Sequence, residues 1–279
     1  MRRFCFLIRG LYTAASGALV AQSMADTVAN NLANASSGGF KQTLLQVQSA
    51  PTMDIYRIQT DPSQSANGSN IGTSVSQPVG TLGTGASIYD TPVDFTQGPL
   101  QSTGNRLDVG ITGQNAFFSV LTPNGVRYTR NGQFTLDSNA NLTTMDGNLV
   151  LDTNGRPLHF NTQQGTATIE PNGLVIQDAQ AGQTASTVTQ VGTIALTSFG
   201  NLTALRKEGD NNLVDTGNAG AAPAQGASLE QGFLEQSNQN VVRSMVDLIV
   251  SNRWFDANER MMKAQDDATS QDINGVAKT

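Results

Sequence analysis

Reactive side chains are scarce in this chain. Cys5 is the one cysteine and His159 the one histidine among 279 residues, so neither an internal disulfide framework nor a cysteine-based zinc site can be built. Any histidine chemistry would rest on His159, in the strand-like run Leu158-His159-Phe160, where a satisfied or surface histidine is the ordinary reading. Charge is low, at 14% of residues, and the formal net charge is −6. No basic stripe exists to displace counterions from phosphate, which argues against nucleic acid as a partner. Long apolar runs are missing too. Nothing approaches the roughly 20 residues of a membrane span, so membrane insertion is not expected. The opening Arg2-Arg3-Phe4-Cys5-Phe6-Leu7-Ile8 imitates a signal peptide, but its apolar run falls short of the roughly seven to fifteen residues required. Arg9 breaks the run, and no cleaved signal is expected.

Motifs that carry chemistry are also wanting. No Gly-x-Ser-x-Gly, phosphate loop, dinucleotide fingerprint or His-Glu-x-x-His occurs. Asp137-Ser138-Asn139-Ala140-Asn141 copies the spaced oxygens of a calcium loop, but Leu142 stands where glycine belongs and Asn148 where glutamate belongs. Turn formation explains that stretch better. Asp90, Asp94 and Asp108 have no evident acid or base partner and read as loop carboxylates. The expectation is no enzyme, no catalytic residue, no cofactor and no metal.

What is present lies at the two ends. Leu11, Ala14, Ala18, Ala21, Ala25, Val28, Leu32 and Ala35 recur three and four apart, the rhythm of a helix that lies against other helices. A thin alanine seam buries little apolar surface and cannot hold a lone helix folded. Near the other end Val241, Met245, Leu248, Phe255 and Met262 follow helical spacing, interrupted by Asn252 and Glu259. The first helix is expected over about 11–35, ended by Ser36-Ser37-Gly38-Gly39, and the last over about 240–267.

Between them, Ser, Gly, Asn and Gln with Pro62 and Pro78 dominate residues 61–85, too little apolar surface to offset ordering of the chain. From about 86 to 220 short β-prone runs alternate with turn pairs: Asn124-Gly125, Asn131-Gly132, Asp146-Gly147, Asn154-Gly155 and Asn172-Gly173. Such pairs suit type I′ turns, with positive φ at both central residues. Residues 126–130 and 133–136 are predicted to form a hairpin around Asn131-Gly132. Gly217 to Gly226 reads as a second flexible joint. The expected class is α+β: N- and C-terminal helices pairing as a coiled coil around a mainly antiparallel β domain. The expected division is 1–41 as the first inner-domain helix, 42–85 as an extended arm, 86–225 as a β-rich outer domain and 226–279 as the second inner-domain helix.

Four sequence blocks together resemble bacterial flagellar basal-body rod and hook proteins. They are Gly10-Leu11-Tyr12-Thr13-Ala14-Ala15-Ser16-Gly17 with Val28-Ala29-Asn30-Asn31-Leu32-Ala33-Asn34 and Gly39-Phe40-Lys41; then Asp94-Phe95-Thr96-Gln97-Gly98-Pro99-Leu100 with Thr103-Gly104-Asn105 and Leu107-Asp108. Tyr128-Thr129-Arg130-Asn131-Gly132-Gln133-Phe134 follows, and last Gly232-Phe233-Leu234-Glu235-Gln236-Ser237-Asn238 with Asn240-Val241-Val242 and Met245-Val246-Asp247-Leu248-Ile249. The resemblance implies an axial subunit of the flagellum whose terminal helices pair, line an inner tube and pack against neighbouring copies and other rod or hook proteins, with the β domain outside. It implies passage through the flagellar type III export apparatus without a cleaved signal, and assembly in the rod that spans the periplasm. There the drive shaft passes torque from motor to hook.

The assembly residues expected on this basis are Leu11, Ala14, Ala18, Ala21, Ala25, Val28 and Leu32 with Val241, Met245, Leu248, Ile249, Phe255 and Met262. Asn30, Asn31 and Asn34 would set register between subunits, as a polar residue does in a coiled coil. Met1 to Leu7 precede the usual family start and read as an extension. The long polar arm and Arg253-Trp254-Phe255-Asp256-Ala257-Asn258 lean toward the proximal-rod type. The alternatives are a distal-rod or hook subunit, or a secreted β-rich adhesin or enzyme.

Overall fold

In the computed structural model, which describes residues 4–59, 75–161, 165–178, 189–209 and 211–276, one long helix stands at each end of the described chain. Helix α1 runs Phe4–Ala33. It contains no proline, and alanine, the best helix former, recurs along it. It ends in a turn that reaches Gly39 at φ +67°. Helix α2 runs Val241–Val276, and Asn240 Oδ1 caps it by accepting the Arg243 N–H at 3.1 Å. Each helix extends beyond the span expected from its apolar stripe.

The chain divides into two compact units, Met1–Val28 with Leu45–Thr91 and Val246–Thr279, and Ala29–Leu44 with Pro92–Met245. The first unit holds strands β1 (Gln46–Ser49), β2 (Met53–Gln59), β3 (Val75–Leu82) and β4 (Ala86–Asp90). They form two antiparallel ribbons, β1 with β4 and β2 with β3. Much of the arm expected to be extended falls at 60–74, outside the described residues.

The second unit carries β5 (Leu100–Ser102), β6 (Val109–Thr112), β7 (Ala116–Thr122), β8 (Gly125–Thr129), β9 (Phe134–Leu136), β10 (Leu142–Thr144), β11 (Leu149–Val150) and β12 (Ala167–Ile169). After these come β13 (Leu174–Gln177), β14 (Thr189–Thr193), β15 (Leu196–Phe199), β16 (Leu205–Lys207), β17 (Asn212–Asp215), β18 (Ala221–Pro223), β19 (Ser228–Gln231) and β20 (Phe233–Glu235). A nine-stranded sheet runs β16-β17-β8-β7-β11-β10-β9, with β15 beside β7 and β18 beside β15.

Strand β7 is its centre. Ala116, Phe117, Phe118, Ser119 and Val120 are all buried, because Phe118 and Val120 enter one core with Ile111, Phe134, Leu142 and Ile194. Phe117 enters another with Phe199, Leu205 and Leu213. The run reads as continuous rather than alternating because both faces are covered. Edge-to-face ring pairs reinforce each side, Phe118 on Phe134 at 5.0 Å and Tyr128 on Phe199 at 4.7 Å.

Three sequence expectations are corrected. β8 pairs with β7 and β17, and β9 with β10, so the hairpin expected around Asn131-Gly132 does not form. β8 forms its hairpin with β7 instead, closed by Pro123-Asn124 with Gly125 paired to Thr122, and residues 130–132 carry the chain from one strand pair to another. Nor are the turns type I′. Gly125, Gly147, Gly155 and Gly173 have positive φ, but the described non-glycine residues with positive φ are Asn115, Ala140 and Asn211. The turn side chains bond their own backbone instead, as Asn172 Oδ1 does to Leu174 N at 2.8 Å. Gly217 to Gly226 is no joint: Ala219 is fully buried and β18 pairs with β15.

Candidate functional site

With no cluster of three or more metal-ligating side chains among the described residues, the functional question turns on surfaces. Asp137 sits in its turn as a cap, its carboxylate accepting Asn139 N and Asn141 N, each at 2.8 Å. The backbone and side-chain hydrogen bonds of Asn141 hold its pKa below the ordinary carboxylate value. His159 is exposed, with Nδ1 3.2 Å from Asn141 Oδ1.

In the first unit, α1 and α2 approach at glycines. A Cβ at Gly17 would stand 2.7 Å from Asn258 Oδ1, and one at Gly10 would collide with the Gln265 amide. Residue numbers rise along one helix as they fall along the other, so the helices run antiparallel, with contacts one heptad apart on each. Ala14, Ala18 and Ala21 are buried on α1, while Val28, Leu32 and Ala25 are half-buried and Leu11 is exposed.

On α2 the fully buried side chains are serines, Ser244 and Ser251. Each hydroxyl bonds back to its own helix at 2.9 Å, to Asn240 O and Leu248 O respectively. Leu248 and Met262 are half-buried, and Val241, Met245, Ile249 and Phe255 are exposed. Ser244, Ser251, Asn258 and Gln265 were not selected by sequence reasoning because they are polar. The available signal was their seven-residue spacing, matched by Gly10 and Gly17.

The exposed apolar groups make a stripe of their own. Val242, Met245, Val246 and Ile249, one face of α2 by helical spacing, are each at least half exposed, as are Trp254 elsewhere on α2 and Tyr12 and Leu19 on α1. A contiguous apolar stripe on a helix marks a contact surface.

In the second unit, residues 38–44 form a strap between α1 and the sheet, and each residue is held. Gly39 N–H donates to Glu235 O at 2.7 Å. Gly39 packs so closely on Arg130 and Asn131 that a Cβ would overlap their backbone. Phe40 is buried, with Lys207 Nζ 3.9 Å from its ring centroid. Lys41 Nζ donates to Glu235 Oε1 at 2.5 Å and Thr96 O at 2.7 Å. Gln42 N donates to Asn238 Oδ1 at 2.9 Å, and Leu44 N to Pro92 O at 2.8 Å.

Asn31, 5% exposed, bonds Thr43 reciprocally, donating to its carbonyl at 2.8 Å and accepting its N–H at 2.9 Å. Asn34 Nδ2 donates to Asn30 O at 2.9 Å, and Asn30 is exposed.

Glu235 collects these contacts. Its carboxylate also accepts Gly98 N at 2.9 Å and Arg130 Nη1 at 3.0 Å, while Arg130 Nη2 donates to Gly113 O at 2.9 Å. Burial lowers the pKa of Lys41 and of Arg130. It brings Lys207 down to about 8. Lys41, Arg130 and Glu235 all lie in stretches that carry the family resemblance, but no periodicity connects them. Only folding brings them together.

Residues 110–196 match the family model described as flagellar hook protein FlgE/F/G D1 domain, and residues 230–275 that of flagellar basal body rod FlgEFG protein C-terminal. The chain is 33% identical over 276 residues to the flagellar basal-body rod protein FlgG of Bacillus subtilis (strain 168), covering 96% of this chain and 99% of the relative. It is 33% identical over 254 residues to the flagellar basal-body rod protein FlgF of Caulobacter vibrioides, covering 90% of this chain and 91% of that one. A FlgG of Borreliella burgdorferi is 32% identical over 279 residues, covering 97% and 98%. Equal identity to a FlgG and a FlgF does not divide the two types. These matches favour none of the alternatives.

Proposed function

Since this chain belongs to the flagellar basal-body rod protein family, and is thus a structural subunit of the rod, we propose that it assembles through the outward faces of α1 and α2. Copies of itself and other axial proteins of the flagellum are the partners. In this reading α1 and α2 pair as a coiled coil in an inner domain formed by 1–41 and 226–279. Residues 86–225 form the outer layer, with 42–85 as the arm between. The subunit leaves the cytoplasm through the type III export apparatus without a cleaved signal and joins the part of the rod that crosses the periplasm.

One observation carries the proposal: the apolar stripe Val242, Met245, Val246 and Ile249 lies exposed in the single chain. Neighbouring helices would cover it. Heterologous contacts that do not close on themselves build a filament, and many thin seams repeated along it would transmit torque. Leu11, Val241, Met245, Ile249 and Phe255 are exposed and available to neighbours. Ala14, Ala18, Ala21, Ala25, Val28, Leu32, Leu248 and Met262 serve the seam. Asn31, spent on Thr43, and Asn34, bonded to Asn30 O and Ser37 Oγ, hold the turn after α1, which leaves Asn30 as the register-setting group.

Ile249→Asp tests this. The isolated chain should keep its unfolding midpoint, since exposed positions away from special contacts change stability by about 0.5 kcal/mol at most. Cells carrying only the variant should lack complete basal bodies and swimming. Normal basal bodies in that strain would overturn the proposal.

A further inference from the structure

The geometry points to Lys41, Arg130 and Glu235 as a latch that fixes, within the second unit, the segment leaving α1 and the segment entering α2 against the β strands. Three buried charges are brought from sequence-distant segments, and their side chains are 3%, 1% and 0% exposed for Lys41, Arg130 and Glu235. Burial of such a group disfavours its charges unless all partners are in place. Glu235 is fully supplied only when Lys41, Arg130 and the Gly98 N–H are all present. The strap that delivers Lys41 is bonded on one side to Asn31 in the last turns of α1. On the other it is bonded to Asn238, just before α2. Asn238 Nδ2 in turn donates to Asp94 O at 2.9 Å, so the approach to α2 rests on the same ground.

An incomplete latch leaves an uncompensated charge inside the protein, and closing it sets the segments after α1 and before α2 in one step. Replacing a buried ion group by well-packed apolar residues is often neutral or stabilising, so the role assigned to this one is arrangement rather than stability. Arg130 fits that description, since its guanidinium also covers the Phe117 ring at 5.2 Å while Nε has no partner. The latch stands on these contacts. Its consequence, that a subunit presents its helices for assembly only once the latch has closed, rests on the rod reading above.

Hydrogen exchange on the isolated full chain tests the latch. In Glu235→Gln, amides of 34–44 and 234–245 should exchange together at least about tenfold faster, while β7 and β8 stay protected, as expected of local opening. The apolar triple variant Lys41→Met, Arg130→Met, Glu235→Leu should match or exceed the wild-type unfolding midpoint and still show the fast exchange in both segments. Uniformly faster exchange that includes β7 and β8, or loosening confined to 234–236, would overturn the latch. Lys41→Gln, which removes one donor and leaves the carboxylate, gives the same comparison if Glu235→Gln does not fold. Incorporation of the triple variant into basal bodies separates the two claims. Loosened segments with normal incorporation overturn the link to assembly, and unloosened segments overturn the latch.

Discussion

At the scale of single residues, Lys207 shows how a side chain can be held by contacts in a place whose burial opposes its charge. Its ammonium lies over Phe40 and donates to Thr43 Oγ1 at 3.1 Å, yet burial lowers its pKa to about 8 from 10.5. The unfolded chain therefore binds more protons than the folded one between those values, so stability must rise with pH across that window. Below pH 8 the penalty is fully present, and above 10.5 it is gone. Urea midpoints measured at pH 7.5 and pH 10 should rise more in wild type than in Lys207→Met. Lys41 shifts in the same direction and is common to both proteins. Equal rises would show that Lys207 is not held in a desolvated site. Gly39 makes a second case. Its positive φ alone costs an alanine about 1 kcal/mol, and the backbone of Arg130 and Asn131 fills the space a Cβ would need. Gly39→Ala should lower thermal stability by several degrees.

The elements themselves differ in what the sequence says of them. The apolar rhythm of α1 was plain, and its buried face holds Ala14, Ala18 and Ala21 as that rhythm requires. On α2 the large apolar residues marked the wrong face for burial within the chain. Ser244 and Ser251 are buried while Met245 and Ile249 are exposed, and the serine hydroxyls bond back to Asn240 O and Leu248 O, which lets a polar group be buried there. Hydrophobic periodicity cannot separate a stripe that a helix buries in its own fold from one it keeps for another molecule. The glycine positions are where the difference can be measured. Gly17→Val should cost about 1–3 kcal/mol, the usual range for overpacking a close contact, read as a lower unfolding midpoint of the helical signal. Asn258→Ala beside it should recover part of the loss by making room. In the sheet, strand identities were legible from β-prone runs, but partners were not. β8 faces β7 because the chain turns first at Pro123-Asn124, leaving Asn131-Gly132 to cross between strand pairs.

For the whole molecule, the close approaches between α1 and α2 are glycine against amide, Gly10 with Gln265 and Gly17 with Asn258. Such contacts bury little apolar area, and helices of this kind gain most of their stability from packing. Limited proteolysis of the isolated chain should therefore remove both helices before it cuts β7 or β8, and the same sites should be protected in purified basal bodies. Resistant termini in the monomer would show that the helices need no neighbours. Identity of about one third over nearly the whole length of rod relatives accords with a protein whose constraints are spread along the chain rather than collected in one pocket.

By itself the sequence determined the order helix, β region, helix, since periodicity, turn residues and alanine content act locally and leave a readable record. It also held every block that marks the family. Tertiary structure alone decided which strands are neighbours, which face of α2 turns inward, and that Lys41, Arg130 and Glu235 meet. Those outcomes depend on packing and on the cost of burying charge between residues as far apart as 41 and 235, and no local pattern encodes a distance of that kind.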